Sequence, residues 1–153
     1  MPVLIRELFE AHLTVTDLGR SIAFYRNRLG FDLAFRVDDR RVAFFWLGGH
    51  GRSMLGLWET GSAPITIRLH LAFGCTLADV VAAPDRLRAA GIEPTGFYGE
   101  AVNEPVVIGW MPAAAVFFKD PDGHLLEYVA MLPDAARPHF GVASYSQWRG
   151  VAP

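Results

Sequence analysis

The stretch that decides the fold is DPDGHLLE, Asp120–Glu127, which lies between Phe117-Phe118 and the apolar run 128–131. Proline presets φ, aspartate side chains bond nearby backbone groups, and glycine adopts positive φ without strain. These residue types in succession are therefore strong turn chemistry. We predict a hairpin of two apolar strands joined at this turn.

Glu127 is a carboxylate inside the second, otherwise apolar strand of that hairpin. An unpaired buried carboxylate costs several kcal/mol, since its charge loses the hydration of water. The side chain must therefore face solvent, pair with a cation or bind a metal ion. The rest of the chain is needed to choose between these three alternatives.

Composition describes an ordinary globular protein. The chain has 153 residues, of which 52% are hydrophobic and 20% are charged, and its formal net charge is −2. Lysine and arginine are scattered singly, so the charge pattern indicates neither a nucleic-acid partner nor an anionic membrane partner. The single cysteine, Cys75, excludes an intrachain disulfide, and we interpret it as a small core residue rather than a nucleophile. With no signal-like segment at the N-terminus, we expect a cytoplasmic protein.

The first half of the chain reads as strand, helix and three strands. Asp17 is a good helix N-cap, apolar residues follow at helical spacing, and Gly30 is placed to end the helix. Residue alternation in the first strand puts His12 and Glu10 on one face. The predicted strands are Phe9–Val15, Leu33–Val37, Arg41–Leu47 and Ser53–Trp58.

The same order returns in the second half, after a short polar break at 60–64. Thr76 or Asp79 is placed to cap a helix that runs to Ala90 and stops at Gly91, and Pro84 predicts a kink or two short helices. The repeat places His70 where the first half has His12. The predicted strands are Ile65–Phe73, Phe97–Tyr98, Val106–Trp110, Ala115–Phe118 and Leu125–Met131.

The C-terminal tail, 132–153, is rich in proline, alanine and serine and carries Phe140, Tyr145 and Trp148. Tails are usually mobile. Three aromatic side chains argue that this one packs on the body or on a partner chain.

Four stretches together resemble the vicinal oxygen chelate superfamily, which takes in glyoxalase I, bleomycin-resistance proteins, extradiol dioxygenases and fosfomycin-resistance enzymes. They are HLTVTDL at 12–18, SIAFY at 21–25, LGF at 29–31 and the DPDGHLLE stretch. The resemblance covers about 8–131. It implies one α+β domain of two βαβββ units, about 8–60 and 65–131, whose mixed curved sheets form half-barrels.

The resemblance also implies a metal site. His12 matches the first-strand ligand of unit one, His70 that of unit two, and Glu127 the last-strand ligand of unit two. Glyoxalase I has a fourth ligand, a glutamate, at the position of Gly56 here. Glu59 is near, but strand alternation puts it on the opposite face. Two histidines and a carboxylate suit Fe(II), with Mn, Ni or Zn as alternatives, and leave open positions for a chelating substrate.

Other polar residues have weaker claims to a role. Glu10 shares the face of His12 and is either a partner that orients a ligand or an exposed strand residue. Glu59 is interpreted as a surface residue at a strand end. His50 and His124 are expected at the surface of turns, and His139 has no assigned role.

If Gly56 faces a substrate pocket, strand parity predicts that residues among Phe44, Trp46, Met54 and Trp58 face it too. Trp110 and Phe118 are further predicted pocket residues. In fosfomycin-resistance enzymes the segment before the aspartate-proline turn carries hydroxyl and cationic groups for a phosphonate. Here 110–117 is apolar, which favours an apolar or aromatic substrate.

The function implied is a metal-dependent enzyme, with Glu127 in the catalytic set, acting on a small substrate that chelates the metal through adjacent oxygens. Ring-cleaving dioxygenase and glyoxalase-like lyase or isomerase chemistry both stay open. The resemblance further implies a homodimer in which His12 of one chain meets His70 and Glu127 of the other. The alternative is a metal-free, ligand-sequestering protein of the bleomycin-resistance type.

Overall fold

The computed structural model describes residues 7–60 and 67–150. The chain divides into two compact units, with the boundary between Ile67 and Arg68. The predicted start of the fifth strand at Ile65 lies outside the described residues. Each unit is an open sheet with a helix on one face, in the predicted order.

Unit one is a βαβββ unit in which β1 and β4 are parallel and the other pairs are antiparallel, giving the order β1-β4-β3-β2. Asp17 caps α1 by accepting the Arg20 backbone N–H at 2.8 Å, and Gly30 follows the helix with a φ of 73°, as predicted. The last helical turn, Phe24–Arg28, is a π-helix. The elements are β1 (Glu10–Val15), α1 (Leu18–Ala23), β2 (Asp32–Val37), β3 (Val42–Leu47) and β4 (Ser53–Glu59).

Alternation along β1 separates the core from the candidate site. Leu13 and Val15 are buried against the helix side of the sheet, whereas Glu10 and His12 face the other way and are exposed. The predicted two-residue period of the strand is confirmed here, because Leu13 and Val15 are buried and the residues next to them are not.

Unit two repeats this arrangement and adds one strand, giving the order β5-β8-β7-β6-β9. The parallel pair is again the first and last strand of the βαβββ unit, β5 and β8. The predicted hairpin is confirmed, and β8 has the predicted bounds. The elements are β5 (His70–Gly74), α2 (Leu77–Ala89), β6 (Val106–Ile108), β7 (Ala113–Lys119), β8 (Leu125–Met131), β9 (Val142–Ser144) and α3 (Tyr145–Gly150).

Two predictions for unit two need correction. Of the two alternatives predicted at Pro84, a kink or two short helices, the second is wrong, because α2 is one continuous helix capped by Thr76. The proline removes one helical hydrogen bond, and burial of Val80, Ala83 and Leu87 with it offsets that cost. Phe97–Tyr98 is not a strand: the Gly99 N–H bonds the Gly96 carbonyl, which makes the segment a turn.

The tail packs on unit two, as its aromatic content predicted. β9 pairs with β6, which adds a strand that the sequence analysis missed. Trp148 is 2% exposed, with the Phe140 ring 5.0 Å away and the Arg137 guanidinium 4.8 Å from its ring. The helix α3 therefore anchors the end of the sheet rather than hanging free.

Candidate metal and ligand site

Glu127 and His70 lie side by side on the two parallel strands of unit two. Glu127 is opposite Ala72 in the ladder, so His70 sits two residues before it on β5 and on the same face. The His70 Nε2 and the Glu127 Oε2 are 3.0 Å apart. The His70 side chain is 49% exposed and that of Glu127 only 6%, so the pair reaches from the interior to the surface.

The carboxylate of Glu127 is only half satisfied. Its Oε1 is buried and has no hydrogen-bond partner among the described residues. Burial raises the pKa of Glu127, and the neighbouring His70 offsets only part of that rise. The side chain opposite on β7 is Phe117, 3% exposed, so the surroundings are apolar. A buried carboxylate oxygen without a hydrogen-bond partner, next to the His70 imidazole, favours the binding of a cation.

The turn that decides the fold also positions this pair. The Asp120 Oδ1 accepts the backbone N–H of Asp122 and of His124, at 3.0 and 2.8 Å. The His124 Nδ1 in turn accepts the Leu69 N–H at 3.0 Å, and the Leu69 carbonyl accepts the Leu125 N–H at 2.9 Å. The turn therefore holds the residue directly before His70 against the strand that carries Glu127.

This corrects the interpretation of His124 as a surface residue, because its side chain is 1% exposed. Turn residues are usually solvated, and the sequence carries no local signal that this imidazole bonds a strand 55 residues away. His50 is exposed, as expected, and His139 is exposed as well. Burial raises the pKa of the Cys75 thiol, which disfavours the reactive thiolate. This agrees with the interpretation of Cys75 as a small packing residue rather than a nucleophile.

His12, the predicted ligand of unit one, has both ring nitrogens engaged within its own unit. Its Nδ1 lies 2.6 Å from the Trp58 indole Nε1, and its Nε2 lies 3.0 Å from the Glu10 Oε1. The two rings are nearly parallel, inclined by only 20°, and the indole N–H donates to the Nδ1. Glu10 therefore does contact His12, which was one of its two predicted roles.

The predicted lining residues of unit one share the face of His12. The register places Gly56 opposite both His12 and Phe44, and Met54 opposite Trp46, while Trp58 stacks beside the imidazole. A Cβ at Gly56 would lie 3.1 Å from the His12 Nδ1. That contact is tighter than most Cβ contacts, so a larger residue at Gly56 would require the His12 ring to shift by a few tenths of an ångström.

Two predicted lining residues of unit two are corrected. Phe118 is fully buried on the opposite face, 4.8 Å from the Tyr128 ring, because Phe117 and not Phe118 pairs with Glu127. Trp110 lies in the turn after β6 and is 64% exposed. Phe117, which the sequence analysis missed, lies 6.0 Å from the His70 ring. Which of the two phenylalanines faces Glu127 depends on the register between β7 and β8, which the sequence does not mark.

Glu59 lies on the opposite face of β4 from Gly56, as predicted, but it is not a surface residue. Its side chain is 12% exposed, accepts the Leu18 backbone N–H at 3.0 Å and pairs with Arg41. It lines a polar cleft of about 300 Å³ together with Asp17 and Arg36. Glu59 therefore holds the start of α1, and its side chain lies on the opposite face of the sheet from His12.

The residues of unit two fit a divalent metal. Ligands at about 2.1 Å in neighbouring positions of a coordination sphere lie about 3 Å apart, and the His70 Nε2 and Glu127 Oε2 have that separation, 3.0 Å. Within ranges 7–60 and 67–150, no three His, Cys, Asp or Glu side chains form a group that could hold a metal ion. A complete set therefore needs a third ligand to join this pair.

The fold and this pair define a class of α+β proteins built from two βαβββ units. The model of the Glyoxalase/Bleomycin resistance protein/Dioxygenase superfamily matches residues 7–128. The chain belongs to this family, which confirms the resemblance found in the sequence. No helix among the described residues is long and apolar enough to cross a bilayer.

Solved structures agree with the family. An integron cassette protein from the mobile metagenome of the Halifax Harbour sewage outfall is 30% identical, with a TM-score of 0.72 over 83% of this chain and 100% of that one. A glyoxalase/bleomycin resistance protein/dioxygenase from Nocardioides is 25% identical, with a TM-score of 0.64 over 88% and 89%. The fosfomycin resistance protein FosX from Listeria monocytogenes, in complex with Mn(II) and sulfate, is 25% identical, with a TM-score of 0.60 over 85% and 94%.

Proposed function

We propose that this protein is a metal-dependent enzyme that acts on a small, largely apolar substrate able to chelate a divalent metal through adjacent oxygens. The observation that carries the proposal is the buried, unpartnered Oε1 of Glu127 beside the His70 Nε2. The related FosX protein was crystallised with Mn(II), which supports a divalent metal of the group Fe, Mn, Ni or Zn.

Each residue has a distinct part in this proposal. His70 offers a neutral imidazole nitrogen, Glu127 supplies negative charge, and His12 is the third ligand. Bound there, the metal would supply Lewis-acid polarisation of the adjacent substrate oxygens. Phe117 beside the pair keeps water away from the carboxylate, which strengthens its interaction with any cation. Dioxygenase and lyase or isomerase chemistry are both compatible with this ligand set.

We further propose that the site is shared in a homodimer, with His12 of one chain joining His70 and Glu127 of its partner. The family resemblance supports this arrangement.

Metal content tests the function directly. We expect about one Fe, Mn, Ni or Zn per chain in protein purified without chelator, measured by elemental mass spectrometry. His70→Ala and Glu127→Ala should each reduce tight metal binding by about 10-fold or more while the chain stays folded by circular dichroism. His50→Ala, an exposed turn histidine, is the matched control and should keep the metal.

Stoichiometric metal in both unit-two variants would contradict the proposal. Protein without metal, with no uptake when each ion is added in turn, would favour the second candidate, a metal-free protein that sequesters a ligand. One observation favours that candidate: both ring nitrogens of His12 already have partners in unit one.

A further inference from the structure

We infer that Trp58 is a positioning residue that fixes His12 in its Nε2–H tautomer, a form that His12 must give up in order to bind a metal. The inference concerns the unit-one ligand of the proposed site, and its metal-binding part rests on the proposed function. Its tautomer part stands on the contacts of unit one alone.

The tautomer follows from the chemistry of the indole. The Trp58 Nε1–H is a donor only, and the Trp58 Nε1 lies 2.6 Å from the His12 Nδ1, with the two rings nearly parallel. The Nδ1 must therefore offer its lone pair. In a neutral imidazole the proton is then on Nε2, where the Glu10 Oε1 stands ready to accept it at 3.0 Å. Trp58, His12 and Glu10 form a chain of hydrogen bonds with one consistent direction.

This direction opposes metal ligation by either nitrogen. The Nε2 carries a proton in place of a lone pair, and the lone pair of Nδ1 points at the Trp58 N–H. If Nε2 bound a metal, Nδ1 would carry the proton and two N–H groups would face each other. Ligating histidines in proteins instead donate their second N–H to a carboxylate, a carbonyl or water. Binding through His12 therefore requires the Trp58 contact to break.

The two units differ in the residue that stands next to the histidine on the neighbouring parallel strand. Directly opposite His12 on β4 is Gly56, and Trp58 stands two residues further on; directly opposite His70 on β8 is Leu125, and Glu127 stands two residues further on. Relative to its histidine, Trp58 thus occupies the position of a carboxylate. In unit two this position holds the Glu127 carboxylate, an acceptor that can share a cation with His70. In unit one it holds the Trp58 N–H, which is a donor.

Neighbouring side chains hold the indole in this position. The Arg40 guanidinium lies 4.9 Å from the ring of Trp58, and Phe44 meets the same ring edge-on at 6.4 Å. Phe44 also meets the His12 ring edge-on at 6.0 Å, and the missing Cβ of Gly56 leaves the imidazole its space. The contact is therefore supported from several sides.

The test compares Trp58→Phe with Trp46→Phe in metal-free protein by ¹⁵N NMR of the histidine rings. Trp58→Phe keeps an aromatic ring but removes the N–H, and we expect the His12 signals to move from the Nε2–H pattern toward a mixture of tautomers. Trp46→Phe makes the same chemical change on the same face, where the indole contacts His50, and should leave His12 unchanged. An unchanged His12 pattern in Trp58→Phe would overturn the inference.

Mn(II) titration followed by calorimetry then tests the consequence. Removing a hydrogen bond that competes with ligation should tighten Mn(II) binding by about 3- to 10-fold in Trp58→Phe, with no gain in a His12→Gln background. A changed tautomer with unchanged or weaker Mn(II) binding would overturn the link to ligation. If neither the natural protein nor the variant binds metal, the proposed function fails, while the NMR result still decides the role of Trp58.

Discussion

At the scale of single residues, three polar side chains in or next to apolar strands have specific partners. Glu127 meets His70, and Glu59 accepts the N–H of Leu18 at the start of α1. His124 accepts the N–H of Leu69. Buried polar groups without partners cost free energy, so these pairings explain why the residues are tolerated. Among the described residues, two buried side-chain atoms lack a hydrogen-bond partner, the Trp148 Nε1 and the Glu127 Oε1, and only the second belongs to an ionisable group beside the candidate site.

The role of His124 gives a prediction at this scale. His124→Ala leaves the Leu69 N–H without its acceptor and empties a fully buried position. We expect the free energy of unfolding to fall by about 2–3 kcal/mol, measured as a lower midpoint in urea with an unchanged slope. Exposed His50→Ala should change it by less than about 0.5 kcal/mol. Equal effects of the two substitutions would contradict the buried role.

Prediction from sequence worked for these residues where strand parity decides the outcome. The faces of His12, Gly56 and Glu59 follow from alternation alone. It failed for His124 and Phe118, because the partner of each is set by which strands pair and in what register. Register depends on the whole sheet and has no marker in the residues themselves.

At the scale of elements, unit two extends its sheet with the tail. β9 pairs with β6, and Glu104 holds the start of α3 by accepting the Ser146 N–H and hydroxyl at 2.8 and 2.7 Å. A carboxylate near a helix N-terminus stabilises it through the free N–H groups there. The tail is therefore fastened by one carboxylate and one buried ring, that of Trp148.

Glu104→Ala should loosen this element locally. We expect the amides of β9 to exchange with deuterium about fivefold faster, which corresponds to about 1 kcal/mol of lost capping. The matched control is Glu93→Ala, an exposed glutamate outside the tail, which should leave β9 protected. Unchanged protection of β9 in Glu104→Ala would contradict a role of the Glu104–Ser146 contact in holding the tail.

The same contact predicts a pH dependence. Hydrogen bonds from Ser146 lower the pKa of Glu104, with the hydroxyl as the largest cause. A lowered folded pKa means that the stabilisation is complete above the ordinary glutamate value of about 4.3. It is lost as the pH falls through the lowered folded value. Protection of β9 should therefore drop at acid pH in the natural protein and show a smaller drop in Glu104→Ala.

At the scale of the whole molecule, the proposed ligand set is divided between the two βαβββ units. Unit one supplies His12, and unit two supplies His70 and Glu127. In unit two, His70 and Glu127 lie side by side. In unit one, His12 accepts a hydrogen bond from Trp58. A dimer that shares its sites would bring the two parts together.

Subunit mixing tests this arrangement. His12→Ala and His70→Ala should each bind little metal alone, because every shared site then lacks one ligand. Refolded together, they should regain roughly a quarter of the sites, since half of the dimers are mixed and each mixed dimer has one intact site. Mixing His70→Ala with Glu127→Ala should restore nothing, because both ligands belong to the same unit. No recovery in the first mixture would contradict sharing.

The sequence by itself determined the repeated strand, helix and strand order, the hairpin at Asp120–Glu127, and the positions of the two histidines and the glutamate on their strands. These follow from residue period and turn chemistry, which act over a few neighbouring residues. Only the tertiary structure decided that Trp58 donates to His12, that His124 supports His70, and that Phe117 faces Glu127. These contacts join residues far apart in the chain, and sheet pairing creates them only once the fold has formed.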